Sequence, residues 1–396
     1  MVGAGRIVED ITVRLLATAE WLTRRAGAFS APLGLAIMLA FTATVAVVAW
    51  VFPVHNWDML AYLAAAHEAP GVSVEALHAH AYDTVRQNVP AGDFLVLTQD
   101  RDYRIAQQAD PAAFHSMLGF YRVKVLYVEA TRWLSGLVDP YTALRLLAVV
   151  PAFAIGIAMT LWLARERALH LAPLALALAM AAQFGEVARQ TTPDALSAMF
   201  LIGGMLAFLA RREALTAGLL LLAFLARPDH LAYLGVLMVV ALFARSFSWG
   251  VTAAFLAGLI AYGPMTMGAD HPGWWVHYWF TNVEYVPTLV GFDPEFSIAV
   301  YLDAQVRVLV RSLVEQSWLA VLIVGGFAWW QMALRGIAFS RRQTAVLATT
   351  MLAIGAKTVV FPLYDTRFHF AYLVVFGLVL IGALRDLRFV PAAIAR

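Results

Sequence analysis

Four short polar stretches stand at the ends of apolar runs in this chain of 396 residues, and each carries side chains suited to acid–base or anion chemistry. The first is His55-Asn56-Trp57-Asp58, directly after the first long apolar run. A carboxylate just above a hydrocarbon boundary is partly desolvated, which suits Asp58 to act as a general base. The plainer role is an anchor, with Trp57 in an interfacial aromatic belt and Asp58 as the N-cap of a helix over Met59–His67. The second stretch runs from Gly185 to Asp194. Pro193 suits the first position of a helix and Asp194 its first turn. Arg189 has no such role, and is a candidate to hold an anionic head group or a substrate phosphate.

The third stretch is Arg227-Pro228-Asp229-His230, between two short apolar runs. Ionisable residues in a broken span are functional candidates. The structural alternative is an Arg227–Asp229 pair that closes a turn. The fourth is Tyr364-Asp365-Thr366-Arg367-Phe368-His369, with Lys357 one to two turns deeper in the preceding run. Arg367 backed by Lys357 makes an anion site, because a guanidinium gives bidentate contacts to phosphate. The alternative is a pair of cations snorkelling to the interface. A further outer stretch is rich in aromatics (Trp274, Trp275, Tyr278, Trp279) and holds His271 and His277. Such rings stack on sugars or, more commonly, pack on lipid. With no HExxH and no His pair at i, i+4, a zinc site is not expected. There is no cysteine, which excludes disulfides and thiolate ligands. Walker A, GxSxG and GxGxxG motifs are absent, so neither a nucleotide-driven reaction nor a cofactor is expected.

The elements that must position these residues follow from composition. Hydrophobic residues make up 62% of the chain and charged ones 14%, with a mean hydropathy of +0.73. A soluble domain carries about 25% charged residues, so lipid must be the solvent for much of this chain. The net charge is +2 with no basic patch outside the apolar runs, and nucleic acid is not an expected partner. The pattern predicts an all-α polytopic membrane protein forming one transmembrane domain over 1–396. Ten spans are expected, at about 31–53, 141–164, 169–186, 193–210, 214–227, 229–244, 250–267, 317–334, 343–362 and 367–384. Residues 1–30 read as an amphipathic helix on the cytoplasmic membrane surface, followed by an uncleaved anchor.

Arginine clusters orient the spans by the positive-inside rule. Arg24 and Arg25, Arg165 and Arg167, Arg211 and Arg212, Arg245, Arg335, Arg341 and Arg342, and Arg385 and Arg388 all fall on one side when ten spans are drawn. Both termini are then cytoplasmic. Residues 112–138 are long enough to span, but Arg122, Lys124, Glu129 and Arg132 favour an interfacial helix. The polar stretches, a first outer loop at 54–140 and a second at 268–316 gather on the opposite face.

This outer-face pattern resembles the GT-C superfamily of integral membrane glycosyltransferases. The likeness rests on an acidic residue soon after the first span (Asp58 in HNWDMLAY), a long first loop with interfacial helices, Pro-Asp span starts (TTPDAL and RPDHL) and a late outer-face arginine (YDTRFHF). It implies a sugar moved from a polyprenyl-phosphate donor to a hydroxyl on a lipid or glycan acceptor, with inversion. It also implies action at the periplasmic face of a bacterial inner membrane, with no metal. Asp58 would be the base, and Arg227 or Arg367, with Lys357 or Arg189, would hold the leaving phosphate. His55, Asp229 or His230 would orient the sugar. Family members often show an acidic pair in the first loop. Here the partner is open among Asp93, Asp100 and Asp102. The competing readings are a transporter or flippase for lipid-linked glycans, and a polysaccharide polymerase or ligase using a diphosphate-linked donor. A transporter needs polar groups near the midplane, and this sequence keeps them at the rim.

Overall fold

The computed structural model describes residues 31–385, so the surface helix expected over 1–30 lies outside the described residues. Among the described residues the regular structure is all helical, apart from one isolated parallel bridge between Val54 and Gln190. Four helices are long and apolar enough to cross a membrane: Ala31–Val51, Pro140–Arg165, Trp249–Gly268 and Arg341–Val360. Ile298–Glu315 and Trp318–Leu334, bent by 78° at their junction, supply a fifth if they count as one span. The other expected spans are apolar helices of 10–17 residues: Leu169–Ala181, Pro193–Leu209, Glu213–Ala226, His230–Phe243 and Phe370–Ala383. None of these five contains Lys or Arg, and their only acids, Asp194 and Glu213, fall in first turns. Helices therefore occupy all ten expected places, while four or five have the length of a span.

The bundle closes around Phe370–Ala383, in which every residue from Phe370 to Gly382 is buried. A helix apolar on all sides belongs inside a bundle. Pro193–Leu209 packs between Pro140–Arg165 and Glu213–Ala226, and Arg341–Val360 packs on His230–Phe243. Small residues permit close approach of these helices. At Gly156 a Cβ would stand 2.3 Å from Thr42 Oγ1, so the Thr42 side chain of Ala31–Val51 packs directly on the backbone of Pro140–Arg165 there. Val47, Ile260, Val324 and Phe327 are exposed on the outside, the arrangement expected of lipid-facing surface.

A second apolar core lies in residues 54–140 and joins Trp57, Tyr62, Tyr82, Phe114, Phe120 and Tyr127 with Val276 and Leu289 of residues 268–316. The Asp58–His67 helix is enclosed by it, with Met59 to Ala66 all buried. Residues 112–138 do not form the single interfacial helix expected. They divide into Pro111–Ser116, Gly119–Arg122 and Val125–Ser135. Asp110 caps the first of these, accepting from the Ala112 amide at 2.9 Å. Gly119 lets the backbone close on Asp270, whose carbonyl oxygen would be 2.5 Å from a Cβ. Residues 268–316 are likewise not simply a loop, since they contain the helices Trp274–Asn282 and Ile298–Glu315. The latter is an amphipathic helix with Asp303–Arg307 and Arg311–Glu315 pairs at i, i+4, a spacing that supports helix.

Candidate functional site

The Asp58–His67 helix begins at Asp58 itself. Trp57 before it already has helical backbone (φ −62°, ψ −30°), and no side chain caps this end. The N-cap role considered for Asp58 therefore does not apply, and its carboxylate is directed elsewhere. Asp58 Oδ1 accepts from the Tyr121 hydroxyl at 3.0 Å, and Oδ2 lies 4.0 Å from Arg367 Nη1.

Arg367 is held in place by the short 3-10 helix Thr366–Phe368, whose Asp365 accepts from the Arg367 amide. Its Nη1 donates to Gln190 Oε1 at 2.6 Å and stands 3.8 Å from Asp194. Gln190 sits where the Val54 bridge ties the segment after the first span to the start of Pro193–Leu209. That tie brings Asp58 and Asp194 to one place although 136 positions separate them in the chain.

Asp194 does occupy a helix first turn, as expected, but this is only part of its role. Its side chain is 3% exposed, accepts from Thr192 Oγ1 at 2.5 Å and is ion-paired with Arg227. Arg227 leaves the helix in extended backbone (φ −146°, ψ 104°), because Pro228 follows and disfavours helical backbone before it. Its Nε donates to Asp229 Oδ1 at 3.0 Å. Asp229 in turn pairs with Lys357, whose ammonium also donates to the Phe368 carbonyl at 3.2 Å. The result is a continuous row of alternating charge: Asp58, Arg367, Asp194, Arg227, Asp229 and Lys357. Asp58 and Asp229 are the more open carboxylates, at 30% and 29% side-chain exposure.

Burial pushes the Asp229 carboxyl up, but the charges of Arg227 and Lys357 outweigh it and hold this group well below the usual carboxylate range. Lys124 belongs to the same field. Burial lowers its ammonium from 10.5 to about 8, Asp58 and Asp229 oppose the shift, and Arg227 and Arg367 add to it. Its Nζ lies 5.1 Å from the centre of the Tyr121 ring. Tyr121 and Tyr62 are raised well above the usual phenol range, first by burial and then by the Asp58 charge. Both are therefore neutral hydroxyls beside the carboxylate.

Of the residues singled out in the sequence, Asp58, Arg227, Asp229, Lys357 and Arg367 meet in this cluster. His230 lies behind it, buried, with Nδ1 2.7 Å from the Tyr372 hydroxyl. Arg189 does not join. It has the structural role that its sequence context did not reveal, donating to the Phe52 carbonyl at 2.6 Å and pairing with Glu186 at 3.8 Å. His55 is also apart, bonded to Asp93 at 2.6 Å and to the Tyr141 hydroxyl at 2.8 Å. Asp93 is thus engaged by His55 and Asp100 by Arg104 at 3.0 Å. Neither they nor Asp102 contacts Asp58, whose acidic neighbours come instead from distant segments, as Asp194 and Asp229. His271 and His277 bond to each other at 3.2 Å. Burial lowers His271 to about 4 and His277 well below its usual value, with Lys124 adding to both. Among the described residues no group of three or more His, Asp or Glu could hold a metal ion.

Lys124, Tyr121 and the pairing role of Asp194 escaped the sequence reading. One signal was present. The chain has only two lysines, Lys124 and Lys357, and both stand at this cluster. Comparison with protein-family models, with curated proteins and with solved structures gives no match, so the chemistry of the cluster carries the functional reading alone.

Proposed function

We propose that the chain is an integral membrane glycosyltransferase that uses a polyprenyl-phosphate sugar. The observation that carries this reading is a partly open carboxylate, Asp58, 4.0 Å from an arginine that belongs to a row of largely enclosed cations. Such an arrangement suits a displacement in which one group takes a proton while others receive an anion. The acceptor hydroxyl gives its proton to Asp58 as its oxygen forms a bond to the anomeric carbon. The bond from that carbon to the donor phosphate breaks, its electron pair leaves on the phosphate oxygen, and the configuration inverts. Arg367, with Arg227, Lys357 and Lys124 behind it, stabilises the departing phosphate, and Asp229 is placed to orient a sugar hydroxyl. Asn56, two residues before Asp58, has a buried carboxamide with neither polar atom bonded. Buried polar atoms are nearly always satisfied, so this one suits contact with a bound sugar.

The reading includes ten membrane crossings, with both termini cytoplasmic and the cluster on the periplasmic side of a bacterial inner membrane. The five shorter apolar helices support it, because each bears charge only at its ends or not at all. The deciding experiment offers the purified protein, in liposomes, a panel of polyprenyl-monophosphate sugars and diphosphate-linked oligosaccharides. Transfer from a monophosphate donor is expected. Reaction with diphosphate-linked donors alone would replace this reading with a polymerase or ligase.

A further inference from the structure

At the opposite end of the bundle from the Asp58 cluster lies a cleft of about 740 Å³ lined by Arg165, Arg211, Arg245, Arg341, Arg342 and Arg385. The same helices connect the two ends. Asp194 opens Pro193–Leu209 and Arg211 follows its close, so the 17 residues of this helix, at 1.5 Å each, put the cleft about 25 Å from the cluster. Arg341–Val360 runs the other way, with Arg341 at the cleft and Lys357 at the cluster. The six arginines come from five separate points along the chain.

Their charge is only partly compensated. Arg385 donates to Glu166 at 3.1 Å, and Arg342 to Glu213 at 2.8 Å. Arg165 is spent on carbonyls, donating to Leu206 at 3.1 Å and Leu209 at 2.7 Å. Arg211, Arg245 and Arg341 are exposed and have no carboxylate within ion-pair distance among the described residues. Arg211 and Arg245 also occupy left-handed backbone, at φ 58° and 51°, a conformation that favours Gly or Asn at helix ends. The positive-inside rule gathers such cations on one membrane face and a helix C-terminus attracts one at each helix end, but neither requires six of them to line a single cavity.

Beside the cleft the surface is apolar. Leu242, Phe243 and Trp249, flanking Arg245 in sequence, are 61%, 82% and 72% exposed, and Phe247 lines the cleft itself. A basic cavity with an adjoining apolar wall matches an amphiphile whose phosphate enters the cleft and whose acyl chains lie on the wall. Basic pockets between transmembrane helices bind anionic lipid head groups in this way. The volume falls in the range of about 300–1,000 Å³ typical of whole small-molecule sites, more room than one inorganic phosphate fills.

We propose that this cleft is a binding site for the phosphate groups of an anionic membrane phospholipid, independent of the Asp58 cluster and of its reaction. The test uses the full-length protein in detergent, with native mass spectrometry and thermal stability as readouts. Tetraoleoyl cardiolipin, dioleoyl phosphatidylglycerol and dioleoyl phosphatidylcholine are titrated in parallel with sodium phosphate and sodium pyrophosphate. The anionic lipids are expected to bind in preference to phosphatidylcholine and to the free anions. Replacing Arg211→Asn, Arg245→Asn and Arg341→Gln together should weaken anionic-lipid binding by about a hundredfold, from a factor of roughly five per arginine. The lipid-free melting temperature should hold, because none of the three has a charged partner. Should the triple variant fail to fold, Arg341→Gln alone still predicts a fivefold loss on the same scale, roughly. Equal binding of phosphatidylcholine, unchanged affinity in these variants, or phosphate or pyrophosphate binding as tightly as lipid would each overturn the proposal.

Discussion

The guanidinium of Arg367 bridges Asp58 and Asp194, 4.0 Å from the first and 3.8 Å from the second, while its Nε faces Asp365 of its own turn at 3.1 Å. Of the two, Asp58 is open to a ligand at 30% exposure, while Asp194 is enclosed at 3%. One arginine thus links an accessible acid to a buried scaffold of charge, which divides the cluster into a chemical half and a supporting half.

The chemical half is tested by Asp58→Asn. The amide still accepts from Tyr121 but is no base. Transfer from a polyprenyl-phosphate sugar should fall by about 10²–10⁴, with the melting temperature essentially unchanged. A well-folded Asp58→Asn protein with full transfer rate would sink the base assignment.

Substitutions at Asp194 and Arg227 test the supporting half. Arg227→Met leaves the buried Asp194 carboxylate with Arg367, at 3.8 Å, as its remaining cation, so the cost should be at most the about 3–5 kcal/mol of an uncompensated buried charge. The double variant Asp194→Asn, Arg227→Met removes both charges and should be more stable than Arg227→Met alone. A double-mutant cycle read by denaturation in detergent checks this. Strict additivity of the two substitutions would argue against a shared pair.

Lys124 sets a pH dependence. Its folded value of about 8 lies below its ordinary 10.5. Below pH 8 the ammonium is charged and adds to the anion-binding field. As pH rises through about 8 that charge is lost, so affinity for polyprenyl phosphate should decline. Stability moves the other way. Between about pH 8 and 10.5 the unfolded chain binds the proton and the folded one does not, so stability gains with pH from this group. Lys124→Arg should abolish the decline in affinity near pH 8, since guanidinium keeps its charge. A wild-type affinity that stays flat from pH 7 to 9 contradicts the role given to Lys124.

The absence of cysteine makes topology directly measurable. Gln87→Cys in the first outer segment and Ala338→Cys between two expected spans are both exposed sites. In intact cells a membrane-impermeant maleimide should label Cys at 87 and spare Cys at 338 until the membrane is opened. The reverse pattern inverts the orientation, and labelling of both means an odd number of crossings has been miscounted.

Much of this molecule follows from sequence by local rules. Hydropathy over windows of some 20 residues identifies membrane helices because each must satisfy its own backbone in lipid. That reasoning located helices at all ten expected places, and the chain breaks at Arg227-Pro228-Asp229 because proline restricts the residue before it. The outer segments were less legible. Residues 112–138 divide into three helices, and Gly119 at the start of the second packs against Asp270, in a segment about 150 positions away. Side-chain partnership was decided by tertiary structure alone. Asp58, Lys124, Asp194 and Arg367 lie in four different segments, and only the packing of the outer layer on the bundle turns them toward one another. Arg189 shows the converse, since its position promised an anion site and its guanidinium is instead spent on the Phe52 carbonyl. Sequence periodicity fixes which face of a helix is apolar, but the rotation and depth at which that face meets its neighbours come from packing across the whole chain. Those two variables determine which charges pair.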